Sequence, residues 1–344
     1  MDFYGKQAKT CASDTEEGWF DTMKRRMVYP DVLRALSCIA TVFLSVSLAA
    51  GSTGMSGLLT WAAPMFVMLS GMFFLDSSWY IGSRDMAQRY GLRLLVSYIV
   101  WAAVAMGVNI ATGGVLKGLL SGRGFYLNFL FMMIILYAFS PILRVLTRAA
   151  QPRELWYVVI FGILLGCIYP FIQIQLGTTR LGDYAMMGFG YIGVFTAGWF
   201  LRTATLTRKH LRIAYLLGGI CLILSLRGIW MGQGIFSTDP ALMVLSPDAV
   251  LIAIALFLVV KNTLAGTRLP RRVLRPIAAL AQLSFGIYLI HPILLAVLCH
   301  ALNAAGIVLP TTIFIPAAAI GLLIVSGMLS MLIRKIPKIG RYLA

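Results

Sequence analysis

Charge is scarce in this chain. Asp, Glu, Lys and Arg make up 12% of its 344 residues, and only 12 residues are acids. A soluble domain carries about a quarter charged residues, so this composition does not build a water-facing surface. None of the acids falls in the centre of an apolar run. Asp31, Asp76, Asp183, Asp239 and Asp248 lie at run edges or between runs, which argues against a pump with a carboxylate relay at mid-membrane. Histidine is rarer still: His210, His291 and His300. No His/carboxylate cluster has ligand spacing, so no metal is implied. The five cysteines (Cys11, Cys38, Cys167, Cys221, Cys299) have no short spacing, and four sit in apolar segments. They read as small buried hydrophobes rather than a disulfide framework or zinc site. No internal repeat is evident, which weighs against inverted-repeat transporters. Residues 1–27 are polar and of mixed charge, unlike a cleavable signal peptide, and read as a short cytoplasmic leader.

What is present is apolar sequence. Hydrophobic residues make up 60% and mean hydropathy is +0.87. The expected fold is an all-α integral membrane protein of about ten transmembrane helices, forming one domain over 28–344. Windows of about 20 apolar residues fall at 32–51, 57–75, 92–111, 125–145, 155–172, 184–201, 212–228, 242–260, 277–301 and 311–333. The net charge of +17 follows the positive-inside pattern. Alternate connections hold nearly all of the 29 basic residues, and the others hold only Lys117, Arg123, Arg180 and Arg227. Both termini are therefore expected in the cytoplasm. The lipid bilayer, with its anionic headgroups, is one partner. Nucleic acid is not, because no basic stripe is interleaved with aromatics.

Within span one, Arg34 and Ser45 are eleven residues apart. That is three turns plus about 20°, so both face one way, about 16 Å apart along the axis. One reading is a channel for a long phosphate-bearing ligand, with the cation on its anionic end and the hydroxyl at its reactive end. The other is that Arg34 snorkels to lipid phosphate and Ser45 bonds its own helix. In span two, Pro64 and the pair Ser70-Gly71 suggest a kink and a close helix approach. Arg84, Arg89 and Arg93 stack at the cytoplasmic side, as phosphate ligands or as a topology signal. In span nine, Ser284, Tyr288 and His291 form a polar stripe, with a local helix disturbance expected at Pro292. Such a stripe lines a cavity or joins helices.

The order of these motifs resembles the membrane acyltransferase-3 family. It runs Asp31-x-x-Arg34, Pro64-x-Phe66-x-x-x-Ser70-Gly71, Tyr137-x-x-x-Pro141-Ile-Leu-Arg144, a Tyr191-to-Gly198 segment, and Ser284-Phe-Gly-Ile-Tyr288-Leu-Ile-His291-Pro292. The resemblance covers about residues 30–344, closest to single-domain members that O-acetylate bacterial surface polysaccharides or their lipid-linked precursors. It implies a multi-pass protein of the bacterial inner membrane. Such a protein moves an acyl group, usually acetyl, from cytoplasmic acyl-CoA to a sugar hydroxyl of a glycan or lipid-linked acceptor. The coenzyme acts as donor substrate, with no bound cofactor. The family's span-one motif is an Arg, ten residues and a His; here Arg34 is followed by Ser45 at the His position. Its Arg-x-x-Arg pair is matched at Arg93, with Tyr90 in the first position and Arg89 beside it.

The resemblance assigns Ser45, Arg34 and His291 to catalysis, and Arg34, Arg89 and Arg93 to acyl-CoA. Tyr288, Arg180 and Asp183 fall on the acceptor side. Three functions remain open. In an active acyltransferase, Ser45 either carries the acyl group or stands by, with His291 as base. The second is a catalytically impaired member, natural or substituted His-to-Ser. The third is a transporter or flippase for a lipid-linked or acylated sugar.

Overall fold

The computed structural model describes residues 27–76, 90–111, 125–176, 181–231, 245–267, 269–337 and 340–343. The leader 1–26 lies outside the described residues, as do Arg84, Arg89 and Arg180 and the side chain of Asp183. The helices are α1 (Val28–Ala49), α2 (Thr53–Leu59), α3 (Ala62–Phe74), α4 (Leu92–Ala111) and α5 (Phe125–Ala149). Then come α6 (Pro152–Ile163), a π-helical turn Leu164–Ile168, α7 (Tyr169–Gln175), α8 (Leu181–Thr203) and α9 (Arg208–Met231). The last are α10 (Pro247–Leu264), α11 (Arg271–Ala304), α12 (Thr311–Arg334) and the short α13 (Gly340–Leu343).

No strand occurs among the described residues. Nine helical stretches there are long and apolar enough to cross a bilayer, counting Thr53–Phe74 and Glu154–Gln173 as one each. With the 23-residue α8, the expected all-helical membrane fold of about ten spans is present. Large apolar side chains point outward, as lipid-facing helices require: Ile110, Leu216 and Ile223 are each more than 60% exposed. Hydroxyls point inward instead. Ser37, Ser47, Ser56, Ser97 and Thr196 are fully buried, and such small polar residues let helices approach closely.

Two boundaries differ from the hydropathy reading. Span two begins at Thr53 rather than at 57 and is interrupted at Thr60–Trp61, the kink expected of Pro64. The proline has no N–H for the Thr60 carbonyl four residues back, which accepts from Ala63 N–H at 3.3 Å instead. The eighth span starts at Pro247 rather than at 242. Ser246 stands at its N-cap and the proline takes the first helical position.

The close approach expected at Ser70-Gly71 is present. A Cβ on Gly71 would lie 1.8 Å from the Phe195 carbonyl oxygen of α8, and one on Gly198 would lie 1.8 Å from that of Met68. Backbone therefore meets backbone where α3 crosses α8. Helix α1 occupies the middle of the assembly, packed on α11, α3, α2, α12 and α10. Its buried Cys38, Val42 and Val46 lie against Leu283, Ile287 and Leu295 of α11 and Ala319 of α12. The span carrying Arg34 and Ser45 is thus enclosed rather than lipid-facing.

Four helix ends meet on one face. Asp76, just past α3, accepts an ion pair from Arg202 of α8 at 2.7 Å, and its carbonyl accepts from Arg144 of α5 at 3.0 Å. Arg202 also donates to the Met72 carbonyl at 3.1 Å, and Lys261 of α10 donates to the Arg202 carbonyl at 2.9 Å. Cations at helix C-termini satisfy the last carbonyls and the helix dipole. The ends of spans two, four, six and eight thus share one face, the parity that the alternation of basic connections requires. The start of α1 lies there too, since the Tyr29 hydroxyl contacts Met72 Sδ at 3.4 Å.

Candidate active site

His291 is set by its own helix. Helix α11 runs unbroken through Pro292, so the disturbance expected there is not a break. What Pro292 lacks is an N–H, which leaves the Tyr288 carbonyl without its helical donor. The His291 ring turns back onto this stretch. Its Nδ1 lies 2.8 Å from the Ile287 carbonyl oxygen, and the ring also bonds the Tyr288 backbone. A carbonyl only accepts, so Nδ1 carries the proton. In neutral imidazole, Nε2 is then the lone-pair acceptor.

That Nε2 lies 3.0 Å from Ser45 Oγ. The two residues are 246 apart in sequence and come together because α1 packs along α11. The Ser45 Oγ is also 3.0 Å from the Thr41 carbonyl one turn back, so its single proton has two acceptors. Turned to His291, it completes a hydroxyl–imidazole–carbonyl chain. A nucleophile next to a base, with the base held by a third group, is the geometry of hydroxyl activation. His291 is 1% exposed and Ser45 only half buried. The base is thus shielded while the hydroxyl faces accessible space. Tyr288 stands beside the imidazole, ring centroids 6.1 Å apart, and packs on Phe129 of α5. Ser284, the third member of the predicted stripe, turns away and donates to the Ala281 carbonyl at 2.8 Å.

The other end of α1 carries the cations. Asp31 is buried in the first turn of the helix, where the dipole favours an anion. Three residues on, the Arg34 guanidinium lies 5.8 Å from the centroid of Phe73 on α3. Arg93 of α4 stacks 5.1 Å above the Phe285 ring of α11. Both distances suit cation–π contact, which fixes the plane of an arginine. Tyr137 of α5 is an electrostatic neighbour of both arginines. Its hydroxyl contacts Ser70 Oγ at 3.4 Å, and its ring packs on Phe74, which in turn meets Tyr90 edge-on at 5.1 Å.

Of the sequence-predicted residues, the fold therefore joins Ser45 with His291 and Tyr288, and gives Arg34 and Arg93 a common electrostatic neighbour in Tyr137. Arg89 and Arg180 lie outside the described residues, as does the Asp183 side chain. The aromatic partners Phe73 and Phe285 were missed, although Phe285 lies inside the span-nine motif and Phe73 two residues past the span-two motif.

Comparison with known families gives one result: the model of an acyltransferase domain, acyltransferase-3, matches residues 27–331. No curated protein and no solved structure matches the chain. The match begins just before α1 and ends within α12, taking in both arginines and the Ser45–His291 pair. The chain belongs to the acyltransferase-3 family, as a multi-pass membrane protein of acyl-transfer chemistry.

Proposed function

We propose that this protein transfers an acyl group, most simply acetyl, from cytoplasmic acyl-CoA to a sugar hydroxyl of a bacterial surface polysaccharide or its lipid-linked precursor. It would do so in the inner membrane, with the shared face of Asp76, Arg144, Arg202 and Lys261 toward the cytoplasm. The observation that carries the chemistry is the 3.0 Å approach of His291 Nε2 to Ser45 Oγ, with Nδ1 held by the Ile287 carbonyl. Where the family resemblance places a His on span one, an imidazole from span nine reaches the same spot.

The reaction has two halves. His291 Nε2 takes the Ser45 proton as Oγ attacks the thioester carbonyl. The C–S bond breaks, and the thiolate leaves with the proton from His291. The acyl group is then an ester on Ser45. A sugar hydroxyl next gives its proton to His291 and attacks that ester, and Ser45 Oγ leaves and recovers the proton. A positioned base of this kind contributes about 10²–10⁴ in rate. Arg34 and Arg93 hold the coenzyme phosphates, about 16 Å along α1 from Ser45 by helical rise. Tyr288 borders the acceptor. Arg89, Arg180 and Asp183 keep their proposed roles on the donor and acceptor sides.

The test is to give purified protein acetyl-CoA without acceptor and analyse peptides by mass spectrometry. An acetyl ester on Ser45 is expected, absent in Ser45→Ala and in His291→Gln. Transfer to a glycan by Ser45→Ala at the wild-type rate would reduce Ser45 to a bystander. No transfer by the unmodified chain to any glycan would refute the activity. Substrate flux in proteoliposomes without acyl-CoA would favour a transporter.

A further inference from the structure

We propose that Arg334, at the end of α12, is a third donor-binding residue. With Arg34 and Arg93 it forms an anion site for a ligand bearing several phosphate charges. This rests on the acyl-CoA reading above and deepens it. The fold carries these residues to one place from three helices. Arg334 Nη2 donates to the Gln282 carbonyl of α11. Arg93 stacks on Phe285, three residues further along the same helix and thus on the same side. Arg334 and Arg93 are electrostatic neighbours, as are Arg93 and Arg34 with Tyr137.

The Arg334 Nε is buried with no hydrogen-bond partner, and guanidiniums brought near one another repel, a repulsion that a bound anion relieves. Gln282 is exposed and Phe285 and Arg334 are half buried, so the cluster opens at the rim of the bundle. A positive-inside signal needs only charge in a connection. It does not need guanidiniums oriented by a carbonyl and by aromatic faces. The charge count also discriminates between donors. A phosphopantetheine arm on a carrier protein brings a single phosphodiester charge. Coenzyme A brings a diphosphate and a 3′-phosphate.

The measurement is a titration of coenzyme A into the full chain in nanodiscs of zwitterionic phosphatidylcholine, for wild type, Arg334→Gln and Arg334→Lys. Inorganic pyrophosphate is the second probe. Charge-assisted contacts of this kind predict a tenfold or greater loss of affinity for both ligands in Arg334→Gln. Arg334→Lys should recover part of it, because the charge survives and the fork does not. Thermal unfolding of each variant checks that the fold is intact. Coenzyme A binding to Arg334→Gln at wild-type strength overturns the proposal. So does an effect seen only as lost retention of phosphatidylglycerol, which would make the site a headgroup site. Wild-type binding of pyrophosphate but not of coenzyme A, lost in Arg334→Gln, keeps the anion site and removes the acyl-CoA donor. Binding of neither ligand removes both.

Discussion

His291 is oriented by the carbonyl one turn back on its own helix, that of Ile287. Pro292 withholds an N–H from the Tyr288 carbonyl, and the imidazole settles against that stretch of backbone. Pro292→Ala should restore the helical bond to Tyr288 while the Ile287 carbonyl keeps hold of Nδ1. We expect kcat to change little with the fold retained, which steady-state kinetics beside a melting curve would show. Arg34→Ala and Arg93→Ala should each weaken acyl-CoA binding by about 1–3 kcal/mol, as for charge-assisted hydrogen bonds. Calorimetry would check this, and an unchanged affinity for Arg34→Ala would contradict the donor assignment. Residue types in order made the family legible, and helical arithmetic put Arg34 and Ser45 on one face. The contact of Ser45 with His291 was not legible. It depends on how α1 and α11 pack, and no local pattern encodes a pairing across 246 residues. Arg334 was hidden for another reason: at a span end it reads as one more topology charge.

At the level of helices, apolar windows found the elements because a bilayer demands runs of that length. They were weakest where side chains rather than hydropathy set the boundary, as at Thr60–Trp61 and at Ser246-Pro247. The crossing of α3 and α8 shows what a small residue is for. Gly71→Val or Gly198→Val would drive side-chain carbon into a backbone carbonyl, with no rotamer to relieve it. We expect a loss of about 1–3 kcal/mol or more, the usual cost of overpacking. It should be read as a lower melting temperature in detergent, and as lost activity, since α3 also carries Phe73 beneath Arg34. Wild-type stability in both variants would show that the helices separate easily there.

For the molecule as a whole, the shared face of Asp76, Arg144, Arg202 and Lys261 makes orientation testable. In a cysteine-free background, Val308→Cys, at a 93% exposed position between α11 and α12, should react with an impermeant maleimide from outside the cell. Gln151→Cys, exposed between α5 and α6, should react only after permeabilisation. The reverse pattern would invert the proposed topology. The hydroxyls along α1 have a separate consequence. Thr41 donates to the Ser37 carbonyl, Ser45 to that of Thr41 and Ser47 to that of Phe43, each within its own helix. Thr41 and Ser47 are spent in this way, whereas Ser45 has a second acceptor in His291 Nε2 at 3.0 Å. Of these three hydroxyls, back-bonding thus leaves one with a base to receive its proton, which would confine the chemistry to a single position on a helix otherwise rich in hydroxyls.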